Sequence, residues 1–183
     1  MRILVSGFGP FSGFDDNITR KIVIGLPNNI NGNDIYKTVL DVTYQTAFNL
    51  LDNEIGKINP DIVIATGMAA SRKSISIEKI AININNANTA DNAGILKKDC
   101  VIIKDADTAL MATLDYPSKI YENQMIVNSY SAGTYVCNDI FYRLLEKSTR
   151  TSYPYISFIH FPSEEIIPYE KQLSIFIEIL SCL

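Results

Sequence analysis

Short aliphatic runs closed by turn residues recur along this chain, and stretches of helical periodicity separate them. RILVS at 2–6 runs into Gly-Phe-Gly-Pro, DIVIA at 61–65 follows Asn59-Pro60, and QMIVN at 124–128 and YISFIH at 155–160 repeat the pattern. Runs of this length with little polar alternation are strands buried on both faces, as in sheets covered by helices on either side. The spacing predicts helices over 17–26, 43–57, 105–115, 131–147 and 168–183. Thr43 is placed to cap the second of these, Asn59-Pro60 to stop it, and Pro168 to open the last. Buried strands alternating with helices define the class as α/β. The expected architecture is a single domain over residues 1–183, an α/β/α sandwich around a mixed, mostly parallel twisted sheet.

Other segments are less regular. An extended run at 35–42 follows the Asn/Gly-rich loop at 27–33, and Cys100–Ile103 reads as a short strand. Ile75 and Ile77 alternate, as do Ile80, Ile82 and Ile84, but the two sets are out of phase around Glu78 and Lys79. A β-bulge there accounts for the slip, within a hairpin-like excursion over 73–103. Open α/β sheets bind ligands at the carboxyl ends of their strands. Gly7–Phe14, Gly67–Arg72, the start of the helix carrying Cys137, and His160–Pro162 are therefore expected to meet at one edge.

Charge and composition exclude several functions. The 183 residues carry 16 Lys+Arg against 20 Asp+Glu, a net charge of -4, so no broad cationic surface exists for nucleic acid. No apolar run approaches the roughly 18 residues of a membrane span. The apolar run near Met1 is too short for a signal-peptide core, which makes the cytoplasm the expected compartment. Cys100, Cys137 and Cys182 are an odd, widely spaced set that fits neither a disulfide framework nor a zinc site.

Few residues have the chemistry of a catalyst. His160 is the sole histidine, so any imidazole-dependent step must use it; a lone histidine on an apolar strand is also an ordinary structural residue. Cys137 sits near the start of a helix, where backbone N–H groups and the dipole favour a thiolate, making it the first thiol expected to react with iodoacetamide. It is also in phase with Ile140, Phe141, Leu144 and Leu145, as a small core residue would be. Glu78 interrupts its strand and is a candidate to orient His160, but Asp61, Asp91 and Asp139 stand equal to it on spacing alone. Phe8, Phe11 and Phe14 recur in a Gly/Pro-rich loop and either line an apolar slot or fold back over the sheet edge. The loop reads GFGPFSG, which lacks the Walker Gly-Lys-Ser/Thr and the dinucleotide fingerprint.

Four ordered blocks carry a resemblance. GFGPFSGFDDN at 7–17, GMAASRKSISIEKIAIN at 67–83, SYSAGTYVCNDIFY at 129–142 and FIHFP at 158–162 resemble the pyroglutamyl-peptidase I family, cytosolic cysteine peptidases that remove N-terminal pyroglutamate from peptides. The resemblance implies an α/β/α fold and neither a metal nor an organic cofactor. It places Cys137 on the nucleophile, His160 on the general base and Glu78 on the acidic third member. It places Phe8 and Phe11 on aromatics that sandwich the pyrrolidone ring, Asn17 on a polar residue of the same loop, and Tyr135 and Val136 on the wall beside the thiol. Peptides with N-terminal pyroglutamate are the implied partners, and a homodimer or homotetramer the implied assembly. The chain departs from the family where Asn88 replaces a usual arginine, Met68 a frequent glutamine and Ile18-Thr19 the common Pro-Ser after Asn17, and in shorter loops around 27–33, 96–105 and 162–168. A non-catalytic or altered-specificity relative that binds capped peptides or small lactams is the alternative.

Overall fold

The structure is a computed structural model and describes residues 1–11, 13, 16–151 and 153–183. Phe14 lies outside the described residues. In chain order the elements are β1 (Arg2–Phe8), α1 (Ile18–Gly25), β2 (Asn29–Ile30), β3 (Asn33–Leu40), α2 (Thr46–Ile58), β4 (Ile62–Met68) and β5 (Ile75–Glu78). There follow β6 (Ile80–Ile82), β7 (Ile84–Asn85), β8 (Cys100–Val101), β9 (Ala109–Met111), β10 (Ile126–Ser129), α3 (Val136–Arg150), β11 (Tyr155–Phe161) and α4 (Tyr169–Ser181).

Seven strands form one mixed sheet in the order β10-β5-β11-β4-β1-β3-β2. Its centre is parallel: β3 and β4 flank β1, and β11 runs alongside β4. The antiparallel contacts are β5 on β11 and the small hairpin of β2 with β3. Alternate residues of each central strand feed opposite layers. Ile3, Val5, Ile62, Ile64, Ile159 and Phe161 pack under α1 and α4 with Ile22, Val23, Phe176 and Ile179. Leu4, Val63, Ala65, Ile156 and Phe158 pack under α2 and α3 with Leu51, Ile55, Ile140, Phe141 and Leu144. Both faces are therefore covered, which is why the central strands are apolar along most of their length.

The structure corrects the expected elements at several points. The phase slip at Glu78–Lys79 is a departure from the sheet rather than a bulge. β5 stays in the large sheet, whereas β6 pairs with β9 and β7 with β8 in two separate ribbons. The Lys79 N–H donates to Ser129 O (2.7 Å) while its carbonyl accepts from Ala112 N (2.9 Å), so this residue bridges sheet and ribbon. Residues 105–115 form no helix: Asp105 has φ 59°, and 109–111 extend as β9 along β6. Pairing across the ribbon overrides local helical propensity there. Thr43 caps nothing, because α2 begins at Thr46 behind Gln45, whose φ is 58°. α3 begins at Val136, later than expected, after Gly133 at φ 78°. Pro168 immediately precedes α4.

Candidate active site

Cys137, His160 and Glu78 come from three elements that meet under the start of α3. Cys137 is the second residue of that helix. His160 lies near the end of β11, in register with Gly67 of β4 on one side and Ser76 of β5 on the other. A Cβ built on Gly67 would fall 2.7 Å from Cys137 Sγ and 3.2 Å from His160 Cδ2. The thiol and the imidazole therefore converge over the same residue, and only glycine leaves them room. Glycine is here for close approach, since the position is flat strand beneath two side chains.

Glu78 is fully buried, and its Oε1 lies 2.7 Å from His160 Nδ1. The same oxygen accepts from Arg72 Nη1 at 2.5 Å. Arg72 Nη2 donates to Ser131 O at 2.8 Å, tying the turn after β4 to the segment leading into α3. The other oxygen, Oε2, is buried without a hydrogen-bond partner among the described residues.

Burial pushes the Glu78 carboxyl up, but the hydrogen bond and charge of His160, the Ser129 side chain and the charge of Arg72 outweigh it and hold the group below its ordinary value. Burial holds the His160 imidazole below its ordinary value; the Glu78 contact opposes this, and Arg72 adds to it. Burial pushes the Cys137 thiol up to about 12, and the Glu78 carboxylate adds to the rise, while Arg72 and the cysteine's own backbone N–H work against it. The resting pair is therefore thiol and neutral imidazole. Burial and the Glu78 carboxylate thus oppose the thiolate expected from the helix N-terminus, and outweigh the Arg72 charge and the cysteine's own N–H.

The three aspartates that spacing left equal to Glu78 are occupied elsewhere. Asp61 Oδ2 accepts from Arg2 N (2.7 Å). Asp91 receives the backbone of Tyr44, Ala93 and Ile95. Asp139 pairs with Arg143 and Asn85.

Phe11 and Tyr135 face a cavity of about 270 Å³ completed by Asn86, Ala87, Asn88, Thr89 and Thr134. Tyr135 is held there by its hydroxyl, which donates to Ala90 O (2.9 Å), and by an edge-on contact with Tyr44. Phe8 and Val136 are both buried in the core on the α2/α3 side. Asn17 caps α1: its Oδ1 accepts from Thr19 N (3.0 Å) and its Nδ2 donates to Gly9 O (3.1 Å). Both ends of this amide are thus engaged with the loop that carries Phe11. Asn88 accepts from Lys98 Nζ (2.7 Å). Met68 packs on the α1/α4 side, facing away from the thiol.

Sequence reasoning assigned no role to Gly67 or Arg72. The nearest signal for either was its place in the segment expected at the sheet edge.

A thiol, an imidazole and a buried carboxylate assembled at the carboxyl edge of an α/β sheet define a cysteine peptidase type of site. Residues 1–175 match the family model described as pyroglutamyl peptidase, and the chain belongs to that family of cysteine peptidases. The pyrrolidone-carboxylate peptidase of Thermosipho melanesiensis is 40% identical over 149 residues, 79% of this chain and 74% of that protein. The one from Enterococcus faecalis is 36% identical over 168 residues, 88% of this chain and 78% of that protein. The structure of pyrrolidone carboxyl peptidase from Thermococcus litoralis superposes with a TM-score of 0.91 at 30% identity, covering 99% of this chain and 92% of that one. No helix among the described residues is long and apolar enough to cross a membrane.

Proposed function

We propose that this chain hydrolyses the bond after an N-terminal pyroglutamyl residue in peptides, with Cys137 as nucleophile, His160 as base and acid, and Glu78 as the group that holds the imidazole. The observation that supports it most is the convergence of Cys137 Sγ and His160 over Gly67, with Nδ1 of the same ring fixed on Glu78. With Nδ1–H directed at the carboxylate, Nε2 is the nitrogen left to take the thiol proton.

Proton transfer from Sγ to Nε2 accompanies attack of sulfur on the pyroglutamyl carbonyl carbon, forming the C–S bond. The negative charge developing on oxygen is met by first-turn N–H groups of α3, which have no acceptor inside the helix. Collapse breaks the C–N bond, and the imidazolium gives its proton to the departing amine. Water, deprotonated by His160, then cleaves the thioester and releases pyroglutamate. Glu78 supports the imidazolium in both halves of the reaction. The lactam ring occupies the cavity between Phe11 and Tyr135, where a charged glutamyl terminus would lose its hydration without a counter-charge. Asn17 acts through the loop it braces, and Phe8 and Val136 act as the packed backing of the wall.

On this reading the enzyme is cytoplasmic, in keeping with its three free cysteines. Exposed Leu96, in the loop between β7 and β8, and Met111 on β9 support a homo-oligomer. The test is release of a fluorescent amine from its pyroglutamyl conjugate, with glutamyl and prolyl conjugates as controls. Turnover of the first alone is expected; no turnover at high enzyme concentration rejects the proposal.

A further inference from the structure

A second and larger opening, of about 750 Å³, is bordered by His160. His160, Arg72, Ser76, Val127, Tyr130 and Ala132 are among the residues that line it. Strand register explains its shape. Gly67, His160, Ser76 and Val127 are successive partners across β4, β11, β5 and β10, so they form one row running from beneath the thiol to the sheet edge. From His160 to Val127 the row crosses two strand spacings, about 10 Å, which one extended residue covers when its long side chain lies along the row. Val127 at 39% and Tyr130 at 67% exposure place apolar surface at its far end.

We infer that this groove holds the leaving side of the substrate, with Val127 and Tyr130 meeting the first side chain after the scissile bond and favouring an apolar or aromatic residue there. The inference rests on the pyroglutamyl-peptidase reading and extends it to the departing peptide. The reaction itself sets the direction. His160 must reach the amine that leaves, so the amine lies on the imidazole's side of the thiol, and His160 lines this groove. The smaller cavity is lined by Phe11 and by Thr134 and Tyr135, which precede Cys137 in the chain, and on the proposed reading it takes the acyl side. Charge supports an uncharged occupant. Among the described residues Arg72 is the one guanidinium on the lining and already faces Glu78 and Ser131 O, and no carboxylate lines the groove to receive a basic side chain.

The test compares kcat/KM for pyroglutamyl tripeptides carrying Phe, Ala, Lys or Glu after the ring, in wild type, Val127→Glu, Tyr130→Ala and, as a control on exposed β8, Val101→Glu. Wild type is expected to favour Phe. Val127→Glu is expected to raise the Lys-to-Glu ratio about fivefold, the scale of one exposed ion pair. Tyr130→Ala should lower the Phe-to-Ala ratio by a similar factor. Inhibition by free pyroglutamate, which reads only the ring cavity, should stay unchanged in both. Val101→Glu should leave every ratio at the wild-type value. Retained turnover with unchanged ratios in both groove variants overturns the groove assignment. Wild type that turns over none of the tripeptides instead overturns the peptidase reading beneath it.

Discussion

Two carboxylates on the α2/α3 side of the sheet are almost completely removed from solvent, Glu78 and Asp139, and they are satisfied in opposite ways. Asp139 is enclosed by donors: Asn85 Nδ2 at 2.5 Å, Arg143 Nε at 2.8 Å, and Lys97 Nζ at 3.7 Å. Glu78 concentrates its close contacts on one oxygen, shared by Arg72 and His160, while the other has no hydrogen bond of ordinary geometry among the described residues. A buried charge surrounded by cations on its own or neighbouring elements is a structural fixture. A buried charge that shares one oxygen between a fixed guanidinium and a neutral imidazole has electrostatic capacity in reserve. When His160 becomes imidazolium, the added charge is compensated with no group having to move. Low exposure therefore does not separate the two roles; the protonation state of the partner does.

The most severe test of this contrast removes the sulfur that makes His160 change charge. Cys137→Ala is expected to lower kcat/KM by about 10⁴-fold or more, while Cys100→Ala and Cys182→Ala stay within about twofold of wild type. Equal losses would detach the carboxylate contrast from catalysis. Next come the carboxylates themselves. Glu78→Gln keeps the shape but removes the charge opposite the imidazolium, and kcat should fall about 10³-fold. Thermal denaturation should change little, because the burial cost of the charge is removed along with its attraction to Arg72. Asp139→Asn should do the reverse. It leaves Arg143 facing a neutral amide and costs about 3 kcal/mol in chemical denaturation, with kcat per folded molecule within about twofold of wild type. If Asp139→Asn impaired turnover as strongly as Glu78→Gln, the distinction would fail.

The resting charge state gives a finer measurement. With the thiol near 12 and His160 below its ordinary value, the reactive form is the neutral pair. His160 must be unprotonated to accept the thiol proton, so kcat/KM should rise with pH, tenfold per unit, along a limb lying below about 6.5. It should then stay flat through neutrality. An ionised resting pair would instead lose activity as the imidazolium gave up its proton on the alkaline side. Alkylation reports the same state. Iodoacetamide labelling of Cys137 should follow the same acid limb as kcat/KM, since His160 must be unprotonated to take the thiol proton as sulfur attacks.

The parts of this contrast that could be read in the sequence are those fixed by local pattern. Strands β1, β4 and β11 are legible because both faces are buried and each residue is apolar for the same reason. The helix carrying Cys137 is legible from Ile140, Phe141, Leu144 and Leu145. Residues whose role depends on a distant partner are not legible. Nothing local distinguishes Glu78 from Asp139, and only the four-block resemblance favoured Glu78. The split after Glu78 looked like a bulge because a strand changing sheets and a strand with an extra residue produce the same phase slip. Residues 105–115 read as helix because their pairing with β6 is formed by segments well apart in sequence. Arg72 was hidden for a related reason. Its value lies in reaching Glu78 and Ser131 together, a geometry created by the turn after β4.

Gly67 gives the smallest and most local effect. The row Gly67, His160, Ser76, Val127 crosses the sheet beneath the thiol, and Gly67 is the one place where an added methyl would meet Cys137 Sγ at 2.7 Å, Phe158 Cζ at 3.1 Å and His160 Cδ2 at 3.2 Å. Phe158 is locked in the core, so the side chains that give way are those of Cys137 and His160. Gly67→Ala should therefore spread sulfur and imidazole apart, lowering kcat by about tenfold, with a stability loss of about 1 kcal/mol from overpacking. The Nδ1 contact to Glu78 lies on the far side of the ring, so the acid limb should keep its position. That combination, a lower rate on an unchanged pH profile, separates displacement of the reacting pair from loss of the carboxylate's support. A limb shifted toward that of Glu78→Gln would mean that the methyl acts on the carboxylate contact instead.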